Sequence, residues 1–181
     1  MRYIALLRGI NVGGKNKVDM KSLKQVFEGA GMDSVKTYIN SGNIIFTNNS
    51  CPKKELAAIL EDAIYTNFEL QIKVLLFDYE EYHKIAQSVP AEWINDKQMK
   101  SDVLFLWDDI NEESVLDQLI IKPGIDLVKY VPGAILWSVY KDKVTKSGMM
   151  KIAGSDLYRH MTIRNVNTVR KIYALMQTED E

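Results

Sequence analysis

The order in which apolar segments change their period constrains this chain more than any other feature. Tyr3-Ile4-Ala5-Leu6-Leu7 is a short apolar run closed by Arg8-Gly9, the pattern of a buried strand. A polar, glycine-containing loop leads to Val18. Asp19 then stands as an N-cap before Leu23, Val26, Phe27 and Ala30, which recur at helical spacing up to Gly31. Residues 35–39 and 44–47 read as two strands joined by the turn Asn40-Ser41-Gly42-Asn43. Pro52 suits the first turn of a helix with the face Leu56, Ile59, Leu60, Ala63 and Ile64, and residues 72–77 form a further strand. Strand, helix, strand, strand, helix, strand is the order of the ferredoxin-like αβ plait.

The second half repeats much of that order. Residues 80–89 predict a short helix bridging the halves and residues 103–107 a strand, with Asn111 capping a helix that carries Val115, Leu116, Leu119 and Ile120. Residues 125–131 and 134–140 form a hairpin through Pro132-Gly133. A helical segment spans 151–159, and a final helix runs from about Asn165 to Met176. The last strand of this half is not evident in the pattern. The expectation is an α+β protein of two packed ferredoxin-like subdomains, 1–78 and 79–181.

A chain of 181 residues, 46% of them hydrophobic, supports one large or two small cores and excludes disorder. No apolar run approaches the roughly 20 residues of a membrane span, and the N-terminus lacks a signal-peptide cleavage pattern. Cys51 is the single cysteine, which excludes a disulfide framework and a cysteine-based zinc site. These features predict a soluble cytoplasmic protein with no membrane partner. The net charge of −1 conceals alternating blocks: +6 over residues 1–54, −10 over 55–140, and +6 over 141–171. Two basic blocks offer an anion a local positive field.

Three motifs carry a further reading. Residues 8–17, Arg8-Gly9-Ile10-Asn11-Val12-Gly13-Gly14-Lys15-Asn16-Lys17, are followed by Lys36-Thr37-Tyr38-Ile39-Asn40-Ser41-Gly42-Asn43-Ile44-Ile45-Phe46 and by Thr162-Ile163-Arg164-Asn165-Val166-Asn167-Thr168. Together they resemble the signature of a bacterial family, domain-of-unknown-function family 1697. That resemblance implies two αβ-plait subdomains. It supplies no activity, substrate or cofactor.

In a plait, the end of the first strand and the turn between the second and third lie at the same sheet edge. Arg8, Asn11, Lys15, Asn16 and Lys17 then meet Asn40, Ser41 and Asn43, beside the free N–H groups of the first helix. The set is rich in donors and poor in carboxylates, and its complement is a phosphate- or carboxylate-bearing ligand. Turn chemistry alone also accounts for Asn40 to Asn43, and Asn11 and Asn16 serve equally well to satisfy loop backbone. Arg164, Asn165 and Asn167 form a second candidate group, in which helix capping explains one Asn but not the cation.

Gly9-x-x-x-x-Gly14-Lys15 matches the glycine pattern of a phosphate-binding loop, but Asn16 replaces the Ser or Thr that holds Mg²⁺ and Asp19 places the helix start too late. The two histidines, His83 and His160, lie far apart, so no metal site is expected, and no cofactor either. No general acid or base is identified, which leaves catalysis open. The third strand lacks the basic-glycine and aromatic pattern of RNA-recognition modules, so nucleic acid is a less favoured partner than a small anion. An interaction module without catalysis is the alternative.

Overall fold

A computed structural model of the chain describes residues 1–178, which form two compact units. The first comprises Met1–Tyr82 with the C-terminal residues from Ala174 onward, and the second His83–Tyr173. The boundary expected from sequence was after residue 78, with everything beyond it in the second unit.

The first unit holds strands β1 (Arg2–Leu7), β2 (Asp33–Tyr38), β3 (Asn43–Thr47) and β4 (Val74–Asp78), with helices α1 (Met20–Gly29) and α2 (Lys53–Phe68). The four strands form one antiparallel sheet in the order β2-β3-β1-β4. Each helix therefore connects two strands that are not neighbours, and both pack on one face. Leu23 and Phe27 of α1 and Leu56, Leu60 and Ile64 of α2 join Tyr3, Ala5, Leu7, Ile44 and Phe46 in a continuous core. Phe46 stacks on Tyr3 at 5.5 Å and meets Phe27 edge-on at 5.8 Å. Asp19 caps α1 as its position predicts, accepting Ser22 N–H at 2.8 Å.

Ile39 departs from the expected strand. It has φ 48°, in the left-handed region, so β2 ends at Tyr38, and Tyr38 pairs with Asn43 across a four-residue turn.

The second unit repeats the strand order. β5 (Met99–Leu106), β6 (Leu127–Val131), β7 (Ala134–Tyr140) and β8 (Met161–Asn165) form an antiparallel sheet ordered β6-β7-β5-β8. β8 is the strand that periodicity missed, because Thr162 and Arg164 are polar yet buried. Helices α3 (Tyr79–Ser88) and α4 (Val166–Gln177) lie near the positions expected for them.

The two crossovers differ from expectation. The expected helix after Asn111 is instead a pair of 3₁₀ stretches, Asp108–Ile110 and Glu113–Gln118. Asn111 does not cap it. Its Oδ1 accepts Gly133 N–H at 2.8 Å and Tyr130 O–H at 3.0 Å, so its side chain serves the β6–β7 hairpin. The segment expected to be helical over 151–159 consists of Gly148–Gly154 and Asp156–His160, preceded by Lys141–Lys146, all 3₁₀. Serines punctuate it: Ser147 caps one stretch by accepting Met149 N–H, and Ser155 Oγ donates to Ile152 O at 2.7 Å.

Both crossovers feed one core, where Val115, Ile152 and Leu157 pack with Leu104, Ile135 and Trp137. Asp126, 8% exposed, ties them together. It accepts Lys122 N–H at 2.8 Å, Gly148 N–H at 2.9 Å, Trp137 Nε1–H at 3.1 Å and the Ser147 hydroxyl. Burial raises its pKa, but these four donors outweigh burial and hold it below the usual carboxylate value.

No helix among the described residues is long and apolar enough to cross a membrane.

Candidate functional site

The edge at the end of β1 is a loop that hydrogen-bonds chiefly to itself. Leu7 N–H donates to Gly42 O at 2.9 Å and Arg8 N–H to Lys73 O at 3.0 Å, which sets the loop between the β2–β3 turn and the approach to β4. Ile10, 1% exposed, plugs it into the core. Gly42 has φ 85°, and an added Cβ there would stand 2.7 Å from Leu7 Cβ and 2.9 Å from Ile10 Cδ1. Only glycine fits that contact.

Asn11 is the central brace. Its Nδ2 donates to Val18 O at 2.9 Å and Asn40 O at 2.7 Å, while its Oδ1 accepts Val18 N–H at 2.8 Å. One amide thus closes the loop's base and ties it to the β2–β3 turn. Asn16 Nδ2 donates to Gly9 O at 2.9 Å, and Asn16 O accepts Asn11 N–H at 3.0 Å. Between them, Lys15 N–H bonds Val12 O at 3.0 Å across Gly13-Gly14, both at positive φ. Asn11 and Asn16 adopt left-handed φ values of 52° and 48°, which asparagine tolerates better than most residues.

The structure therefore brings residues 8–17 to the turn at 39–42. Of the two tasks open to Asn11 and Asn16, their amides take the second, since they are engaged with backbone. Asn43, fully buried, donates to Tyr38 O at 2.9 Å and Ser41 Oγ at 3.0 Å. The N-terminus of α1 carries its own carboxylate cap, because Asp19 takes Ser22 N–H and the Ser22 hydroxyl. Hydrogen bonds from the Ser22 backbone and side chain hold the Asp19 carboxyl below its usual value.

What remains outward is charge and apolar surface. Arg8 is half-buried, and Lys15 and Lys17 are exposed. Neither lysine forms an ion pair among the described residues. Sequence reasoning overlooked Val12, 64% exposed at the base of the Gly13-Gly14 turn, and Ile39, 48% exposed as the first residue of the 39–42 turn. Val12 carried a visible signal, a β-branched residue in a polar glycine-containing loop, whereas Ile39 read as the end of a strand. The loop is not a phosphate-binding loop of the NTPase kind, since Asn16 is left-handed and α1 begins only at Met20.

Arg164, Asn165 and Asn167 belong to the second unit. Arg164, 8% exposed, donates to Thr162 Oγ1 at 3.0 Å and Ile163 O at 2.9 Å. Asn165 Oδ1 accepts Thr168 N–H at 3.0 Å, capping α4. Asn167 Nδ2 donates to Asn95 O at 2.8 Å, and Arg170 binds Trp93 O and Pro90 O, so α4 holds the segment 90–95 in place.

No group of His, Cys, Asp and Glu among the described residues has metal-binding geometry. His83 Nδ1 lies 2.6 Å from Tyr173 Oη, and His160 pairs with Asp109.

The solved structure of the conserved bacterial protein SP0830 from Streptococcus pneumoniae is similar at 32% identity with a TM-score of 0.83, covering 97% of this chain and 98% of that one. No curated protein matches the sequence. The family described as "Protein of unknown function (DUF1697)" matches residues 1–136, which include the loop and the turn but not residues 162–168. The chain belongs to that family.

Proposed function

We propose that the protein binds a small organic anion, carrying phosphate or carboxylate, at the edge formed by the loop 8–17 and the turn 39–42. The bracing of the loop carries this reading. Asn11 and Asn16 fix its backbone from within. Arg8, Lys15 and Lys17 are thereby mounted on a preorganised support in a stretch without Asp or Glu. An arriving anion displaces no ion pair at either lysine. Arg8 offers a planar fork suited to two ligand oxygens. Val12 and Ile39 flank the cations with apolar surface, which favours an organic anion over bare phosphate. Asn11, Asn16, Asn40, Ser41 and Asn43 shape this site, and Arg164, Asn165 and Asn167 are assigned to the scaffold of the second unit. Each unit is read as a ferredoxin-like plait on its strand order, and the protein as cytoplasmic.

Thermal melting in the presence of nucleoside phosphates, sugar phosphates and di- and tricarboxylates tests the proposal. A ligand at about 100 times its Kd adds about 2.7 kcal/mol to native stability. For a chain of this size that raises Tm by about 5–10 °C. The double variant Lys15→Gln/Lys17→Gln, altered only at exposed side chains, is expected to melt like wild type and lose the response. Equal shifts in both proteins would place binding elsewhere. Binding of oligonucleotides alone, falling steeply with salt, would instead mark a nucleic-acid interaction surface.

A further inference from the structure

The layer covering the second sheet is divided by charge. Residues 108–121, which form its first crossover, carry five carboxylates and no Lys or Arg, with Lys122 following at the end. Residues 141–159, which form the other, carry five Lys and Arg against two Asp. The two crossovers lie side by side on one core. They meet where Gly148 packs on Ile120, so closely that a Cβ on Gly148 would stand 1.5 Å from Ile120 O. Asp126 fastens the meeting line by binding Lys122 N–H on one side and Ser147 and Gly148 on the other.

Apolar surface is exposed at this seam. Ile120 is 49% and Met150 57% exposed. Glu113 and Asp117 precede the seam on the acidic side, and Lys146 and Lys151 flank it on the basic side, all four exposed and none in an ion pair among the described residues. An apolar strip between an acidic and a basic lip is self-complementary. A two-fold rotation about an axis running along the strip sets each acidic lip against the basic lip of the other copy, a self-complementary isologous contact. A polyanion would meet the acidic lip, and a polycation the basic one. We infer that this face docks a second copy of the chain, with Ile120 and Met150 at the centre and the Glu113/Asp117 and Lys146/Lys151 pairs crossing between protomers.

Sedimentation of the full chain over micromolar to millimolar concentration tests this. Wild type should dimerise, and association should weaken about tenfold from about 0.1 M to about 1 M salt, as the Debye length falls from about 10 to about 3 Å. Lys146→Glu/Lys151→Glu and Glu113→Lys/Asp117→Lys should each self-associate at least tenfold more weakly, with unchanged circular dichroism. An equimolar mixture of the two should recover a heterodimer. A wild type that stays monomeric throughout, reversals that leave association unchanged, or a mixture that fails to recover it would each overturn the inference.

Discussion

At the scale of single residues, the asparagines of the loop show how one residue type serves either fold or ligand. Asn11 makes three hydrogen bonds to backbone groups that would otherwise lie unpaired at the sheet edge. Asn11→Ala is therefore expected to cost about 2–3 kcal/mol, read as a lower midpoint in urea unfolding. Ile39 presents the opposite case. A β-branched residue at φ 48° costs on the order of 1–2 kcal/mol, yet half of its side chain is exposed and gains little from packing. Ile39→Asn should stabilise the protein by about 1 kcal/mol and weaken binding of the organic anion, since the apolar flank of the site is gone. An Ile39→Asn variant that gains stability and binds unchanged would remove Ile39 from the site. The sequence showed which residue types gather at this edge, because topology alone decides that. It did not show which side chains turn inward, because an asparagine amide satisfies a loop carbonyl and a ligand oxygen with the same geometry.

At the scale of elements, the first unit was legible nearly throughout. Its helices have apolar faces at regular spacing and β1, β3 and β4 are mostly apolar runs, so local preference and burial agree there, while the polar β2 was marked chiefly by the turn that follows it. The second unit was less so, for two physical reasons. β8 buries Thr162 and Arg164, which breaks the apolar pattern of a strand. Its crossovers are 3₁₀ stretches organised by a buried carboxylate rather than by helical periodicity, and nothing local to Asp126 announces that it will receive donors from Trp137, Ser147 and Gly148. That carboxylate sets a pH dependence. Its pKa is lower in the folded than in the unfolded chain, so its contribution is fully present above the unfolded value of about 3.9 and is lost as pH falls through the folded value. Unfolding midpoints followed from pH 7 to pH 2 should show this loss in wild type. Asp126→Asn should flatten that part of the profile while lowering stability near neutral pH, because an amide cannot accept all four donors equally well. A profile as steep in Asp126→Asn as in wild type would mean that other carboxylates carry the acid sensitivity.

At the scale of the whole molecule, two units of the same strand order differ in what their connections do. One unit carries regular helices and an elaborate, internally braced loop; the other carries irregular, charge-divided crossovers. The anion site proposed above lies on the first. Its most direct measurement is the amide chemical-shift response of the isotopically labelled full chain as pyrophosphate, a nucleoside monophosphate and citrate are titrated in turn. The account predicts saturable shifts for at least one of these anions, centred on residues 8–17 and 39–43 and abolished by Lys15→Gln/Lys17→Gln. Saturable shifts centred elsewhere, or no shifts at this edge with any of the three, would contradict it.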